Sequence, residues 1–390
     1  MTETKSEMET LFKGVLEEVN DLIEQKDEIL IKDLKDYNME INWIIDGMKG
    51  YQKFENGNYE YKYGEELEQP ELTLEFTDKD LTLRFLRGEL GEYSYIYYKR
   101  KFKLYFPVAR ETIEKETGPI IIKHLKHFLT AKYTKGIVYH PFVLSKLPIF
   151  RKIIVKGYGL DVSDGSYIPI NTTLGKFDNQ ILPAKLIDHF INISNTIYIQ
   201  TICGCRIYHD CQDHDKFIGC MYLGEDVANL KLSPEKGRFI TKEEASMHVD
   251  KAIKNGLVPT FGRFTAESNA LNVEDTGHFM SMCFCCPCCC INGKMIQNAT
   301  TELQGIFKRM EGLTVKVDPN ICIGCGKCLD ICVFVSRNII DGKAVIDQDK
   351  CLGCGRCERV CKNGAISITL DDPKRLDEFI KRIERSVDVS

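Results

Sequence analysis

Leu11, Val15, Leu16, Val19, Leu22 and Ile23 recur at the 3.6-residue period of an amphipathic helix. The pattern then switches to alternation. In "INWIIDG", Ile41, Trp43 and Ile45 share one face, as in a half-buried strand. "FENGNYEYKYG" places Asn-Gly in a turn and follows it with alternating Tyr59, Tyr61 and Tyr63, which predicts a hairpin. "ELTLEF" predicts another strand, with Leu72, Leu74 and Phe76 pointing one way. "TDKDLTLRFLRGE" opens with cap-type residues and predicts a helix, and "YSYIYYKRKFKLYF" returns to strand.

Further on, "ILPAKLIDHFINIS" predicts a helix started by Pro183, with Leu186, Ile187, Phe190 and Ile191 on one face. Together with "HPFVLSKLPIF" it is expected to connect the first part of the chain to the second and to pack on the latter. A helix begun at Thr241, with Glu244 completing a capping box and Gly256 closing it, is the next clear element. "DPKRLDEFIKRIERSV" puts Leu376, Phe379, Ile380 and Ile383 on one face, and a packing helix follows from that. The mixture of periods is that of an α+β, multi-domain chain.

Composition narrows the function classes. The 390 residues are 43% hydrophobic and 28% charged with a net charge of -5, so nothing draws nucleic acid or an anionic membrane to the chain. No apolar run approaches the roughly 18–20 residues of a transmembrane segment. "MTETKSEMET" lacks the basic-then-apolar pattern of a secretory signal, and a cytoplasmic location is expected. All 18 cysteines lie between Cys203 and Cys361. In a reducing compartment, thiols at that density are available for metal rather than for disulfides.

The last third of the chain repeats itself. "CIGCGKCLDIC", with Cys322, Cys325, Cys328 and Cys332, recurs as "CLGCGRCERVC", with Cys351, Cys354, Cys357 and Cys361. Each is C-x2-C-x2-C-x3-C, unlike the paired C-x2-C units of zinc sites. Two residues between ligands let a tight loop wrap three corners of a cube, and small Gly residues let backbone N–H groups approach the sulfurs. The repeat resembles the bacterial-type two-cluster ferredoxins, which have a βαββαβ fold. The resemblance implies two [4Fe-4S] clusters and a fourth cysteine that crosses over. Cys322, Cys325, Cys328 and Cys361 then hold one cube, and Cys351, Cys354, Cys357 and Cys332 the other. Val333 and Lys362 stand where that family has Pro after the fourth cysteine, which implies altered tuning rather than loss.

Ten cysteines remain. Cys203, Cys205, Cys211 and Cys220 form one group; Cys283, Cys285, Cys286, Cys288, Cys289 and Cys290, in "CFCCPCCC", form the other. The helix from Thr241 is expected to bring the groups together as two walls of one site. Neighbouring side chains on extended chain point to opposite sides, so Cys285/Cys286 and Cys288/Cys289/Cys290 are read as facing different directions about Pro287 and serving different centres. Ten thiols suffice for two cubes with two to spare or for one larger cluster, and structural zinc or reactive free thiols stay open as well. Arg206 is the candidate to donate to a cluster sulfide. His209, His214 and His278 are nearby, as ligands or as surface and hydrogen-bonding residues. The order C-x-C-R, E-E-A, G-L-V and the crowded run ahead of a ferredoxin module resembles iron–sulfur proteins of anaerobic bacteria and archaea with no settled function.

The N-terminal order, "W-x-x-D-G", then "PELTLEFTDKDLTLRFLRGE", then a long strand, resembles the sterol-carrier-protein-2 family of lipid-binding domains. That resemblance implies a layered α/β domain with an apolar tunnel for an acyl or sterol ligand; the alternative is an ordinary filled core. The expected organisation is 1–135 for this domain, 136–312 for connector and cysteine-rich domain, 313–370 for the ferredoxin module and 371–390 for the final helix. No G-x-G-x-x-G follows a strand and no G-x-x-x-x-G-K-[ST] occurs. Three functions stay open. One is an electron-transfer protein or subunit relaying single electrons between redox partners in an anaerobic oxidoreductase system. Another is a reductase with a catalytic cluster in the middle domain, and the third is a lipid or acyl carrier.

Overall fold

The computed structural model describes residues 2–70, 72–76, 79–89, 102–105, 142–170, 176–177, 180–230, 232, 236–271 and 273–390. Most of the expected aromatic strand falls outside the described residues. Two compact units emerge from the contacts. One comprises described residues of Met1–Phe128 with Tyr139–Tyr158 and Ala299–Glu302; the other comprises Gly159–Asn298 and Leu303–Ser390. Among the described residues, no helix is long and apolar enough to cross a membrane.

In the first unit the alternating segments form strands β1 (Met39–Ile45), β2 (Met48–Glu55), β3 (Asn58–Tyr63), β4 (Leu72–Phe76) and β5 (Phe102–Tyr105). They form one sheet in the order β3-β2-β1-β4-β5, with β1 and β4 parallel and the other pairs antiparallel. Asn56 and Gly57 take positive φ at the β2–β3 turn, as the Asn-Gly signal requires; Asp46 and Gly47 do the same between β1 and β2. Ile41, Trp43 and Ile45 are fully buried. Trp43 stacks on Phe76 and packs on Phe85 and Phe150, with centroids 5.6–6.3 Å apart. The helix Thr2–Glu24 covers the same sheet through Phe12 and Leu16.

Phe150 belongs to the helix Pro148–Tyr158, which corrects one expectation. The described part of "HPFVLSKLPIF", 142–150, packs with the first unit and not on the cysteine-rich half: Leu147 and Phe150 are buried, and Phe150 meets Trp43 and Phe85.

The second unit is organised by strands that sequence did not single out, most of them two to four residues long. They are β6 (Asp164–Tyr167), the small hairpin β7 (Lys176–Phe177) and β8 (Gln180–Ile181), then β9 (Ile197–Gln200), β10 (Met221–Leu223), β11 (Gly237–Phe239), β12 (Val258–Arg263) and β13 (Met280–Cys285). All but the hairpin form an antiparallel sheet in the order β11-β9-β10-β13-β12-β6. The helix Leu182–Ile193 buries Leu186, Ile187, Phe190 and Ile191 as expected. The helix Lys242–Lys254 has Thr241 as N-cap with both halves of the capping box formed, and Gly256 past its end at φ 86°.

After these come β14 (Leu313–Val317), the short helix Lys327–Asp330, β15 (Arg337–Ile340), β16 (Lys343–Ile346), the short helix Arg356–Val360 and β17 (Ile366–Leu370). The order is βαββαβ, with β14 paired to β17 and β15 to β16. The final helix, Arg375–Ser386, buries Leu376, Phe379 and Ile383, and Phe379 meets Phe261 of β12 edge-on. One apolar core thus runs from Met282 and Phe284 of the sheet through Val315, Ile366 and Ile368 of the repeat to Ile383.

Candidate metal centres

The eight cysteines of the repeat line two cavities. Cys322, Cys325, Cys328 and Cys361 line one, with Ala344 and Ile366 between them. Cys332, Cys351, Cys354 and Cys357 line the other, with Arg337 and Arg356. The fourth cysteine of each motif therefore sits with the first three of the other. The backbone explains how three thiols share one wall. Gly324, Gly326, Gly353 and Gly355 all take positive φ, and a Cβ at Gly324 would come within 2.2 Å of the Gly342 carbonyl oxygen. N–H groups of Ala344 and Gly324 point at Cys322 Sγ and hold that thiol below its usual value.

Cations complete the second cavity. Arg337 is buried and donates to Cys357 Sγ at 3.0 Å and Cys351 Sγ at 3.7 Å. Arg356 is 3% exposed and donates to the Cys285 carbonyl oxygen at 2.6 Å, but its Nε and other terminal nitrogen have no partner among the described residues. It lies beside Cys354, Tyr167, Cys285 and Cys290. Leaving guanidinium donors dry and unpaired costs several kcal/mol, on the order of the cost of an uncompensated buried charge. Anionic sulfur around Arg356 removes that cost, so the donor set fits an iron–sulfur cluster.

The ten remaining thiols converge from the short helix Gly204–Tyr208 and its N-cap Cys203, the loop that follows it, the residue before β10, strand β13 and the turn after β13. β10 pairs with β13 so that Met221 faces Met282, which sets Cys220 opposite Cys283, with their Sγ atoms 3.3 Å apart. Strand pairing, rather than the helix from Thr241, brings the two groups together. Met282 and Phe284 turn into the core, while Cys283 and Cys285 take the other face by strand alternation. The chain then turns back at Pro287, bringing Cys290 Sγ to 2.7 Å from Cys285 Sγ. Cys286, Cys288 and Cys289 lie together with Cys211. The turn thus pairs the first and last of the five consecutive candidates and groups the inner three, rather than separating 285/286 from 288–290.

Two sulfur sets result. Cys203, Cys205, Cys220, Cys283, Cys285 and Cys290 interact with one another; Cys205 donates to Cys203, which is brought down to about 7 by that bond and by Arg206 alongside. Arg206 is 1% exposed and is tethered by the carbonyl oxygens of Asp215 (2.9 Å), Phe284 (2.7 Å) and Ile218. Its charge lies beside Cys203 and Cys286. Of the histidines, His214 and His278 bond the backbone carbonyls of Asn255 and Asp388. His248, which sequence did not single out, packs edge-on against Phe284 and bonds the Gly219 carbonyl oxygen.

Other groups at the site had no signal in the sequence. Glu267 comes within 3.8 Å of Cys283 Sγ and is held by Ser281 (2.6 Å) and Tyr222 (3.1 Å); burial pushes its carboxyl up. Thr260 donates to Cys285 Sγ at 3.2 Å. Tyr167 lies beside Cys285 and Cys290, with its hydroxyl unpaired among the described residues.

Residues 344–367, which carry the second motif, match the family Fer4, described as 4Fe-4S binding domain. The match implies a [4Fe-4S] cluster, and with the cysteine-rich regions it suggests an iron–sulfur electron-transfer role. Among curated proteins, none matches the chain.

Proposed function

We propose that the chain relays single electrons between redox partners through two [4Fe-4S] clusters in the repeat and a further iron–sulfur centre in the cysteine-rich domain, as part of an anaerobic oxidoreductase system. The observation that carries the proposal is the continuity of sulfur sites. The cavity of Cys332, Cys351, Cys354 and Cys357 and the set around Cys285 and Cys290 are joined by one buried arginine, Arg356. When bound, each cluster accepts and returns one electron without a proton or a bond changing hands. The protein's part is to hold the sulfurs, neutralise their charge and keep water away. Arg337 and Arg356 serve the second cluster, and Arg206 the middle centre. The Cys322 cavity supports a role as entry point: Cys325 is exposed, and Ile321 and Ile323 beside it are exposed apolar residues that suit a protein partner.

A reductase with a catalytic middle cluster is the second reading, favoured by one feature. Glu267 puts a carboxylate next to Cys220 and Cys283, where an all-cysteine relay site has none.

Iron and acid-labile sulfide in protein isolated without oxygen test the proposal. Two cubes account for about eight irons and eight sulfides, so a third centre raises sulfide above about eight per chain. Sulfide of about eight or less removes the middle centre from the relay.

A further inference from the structure

The set Cys211, Cys286, Cys288 and Cys289 differs in size from the cluster cavities. Its four Sγ atoms all lie within 4.8 Å of one another, with Cys211–Cys288 at 3.6 Å and Cys288–Cys289 at 3.4 Å. Four thiolates on one tetrahedral ion at about 2.3 Å stand about 3.8 Å apart, since the edge of a tetrahedron is about 1.6 times its radius. In a [4Fe-4S] cube each cysteine sulfur binds a different iron, so two iron positions lie between any two thiolates and the sulfurs stand farther apart. Among the described residues, the cysteines of the C-terminal repeat form no set as tight as this one.

Local geometry points the same way. Cys286-Pro287-Cys288-Cys289 contains a C-x2-C unit, and the Cys289 N–H donates to Cys286 Sγ at 3.3 Å. That bond closes the turn on a sulfur as a small metal knuckle needs, because an N–H donor stabilises a thiolate ligand. Cys211 comes from a separate loop and is buried, as are Cys286 and Cys289, while Cys288 is exposed and leaves a path from solvent.

We propose that Cys211, Cys286, Cys288 and Cys289 bind one tetrahedral divalent cation, Zn2+ or Fe2+, as a mononuclear tetrathiolate. Binding releases the four thiol protons and moves no electrons. The site pins the loop that carries Cys211 to the turn that carries Cys285 and Cys290, and it leaves the other six thiols for the middle centre. It does not depend on the electron-relay reading, because it needs no sulfide.

Zinc, iron and acid-labile sulfide per chain are measured on full-length protein and on its Cys288→Ser and Cys211→Ser variants. Each variant is expected to lose about one metal ion per chain and no sulfide. Zinc lost identifies a structural ion, and iron lost identifies a mononuclear iron centre. Cys288 is exposed, so its replacement leaves packing intact; retained sulfide in the same sample reports that the rest of the protein is loaded. Loss of about four irons together with about four sulfides overturns the proposal, as does unchanged metal in both variants. Protein with metal but no sulfide contradicts the relay reading alone, and the loss of one ion still decides this site.

Discussion

Replacing Cys361 with Ser is expected to abolish or reshape the electron paramagnetic resonance signal of the cluster held by Cys322, Cys325 and Cys328, and to spare that of the cluster held by Cys351, Cys354 and Cys357. Sequence proximity alone gives the opposite expectation, because Cys361 belongs to the second motif and follows Cys357 by four residues. The cavities set the outcome: Cys361 lines the first, with Lys362 and Asn363, and Cys332 lines the second. A serine oxygen is a poorer partner for iron than a thiolate, so loss of up to about four irons from one site is expected. Cys332→Ser is expected to do the reverse. If each substitution disturbs the cluster of its own motif, the crossing is wrong.

Replacing Arg356 with Met is expected to lower the reduction potential of the neighbouring cluster while leaving iron content near that of the unaltered protein. The guanidinium favours the more negative, reduced state. At a separation of about 6 Å and an effective dielectric of about 20, one charge is worth about 3 kcal/mol, or roughly 100 mV for a single electron. Arg356→Lys keeps the charge and is expected to restore most of the potential. In the metal-free chain the sign of the effect on stability reverses: Met removes two unpaired buried donors, so the variant is expected to be at least as stable to denaturant. An unchanged potential in the Met variant, measured by redox titration, removes Arg356 from the charge balance of the relay.

Local signals in the sequence were reliable wherever the physics is local. Thr241 and Glu244 cap their helix because side chain and backbone three residues apart satisfy each other, whatever lies beyond. The Asn-Gly turn and the buried face of Ile41, Trp43 and Ile45 follow equally from short-range sterics and alternation. The tight loops of the repeat follow from local physics as well, since Gly324, Gly326, Gly353 and Gly355 take positive φ at the fixed spacing of the two motifs.

Long-range placement was not legible. β9, β10 and β11 have three or four residues each, too few to show a period, yet the sheet they build sets Cys220 against Cys283. The crowded run depended on a turn that strand alternation does not foresee: Pro287 folds it back, so Cys285 meets Cys290 while Cys286 meets Cys289. Phe150 joined the first unit because an apolar helix face carries no address. Glu267 and Tyr167 stand apart in sequence from the cysteines they approach, and Arg356, though inside the second motif, reaches Cys285 and Cys290 only in the folded chain.

The central claim is that electrons pass beyond the C-terminal repeat into the cysteine-rich domain. A reductive titration of full-length protein under anaerobic conditions, followed by electron paramagnetic resonance, tests it most directly. The claim predicts reversible uptake of at least about three electrons per chain, with a third signal whose shape changes in an Arg206→Met variant. Uptake of about two electrons or fewer, with no signal sensitive to Arg206, would contradict it and confine the redox chemistry to the repeat.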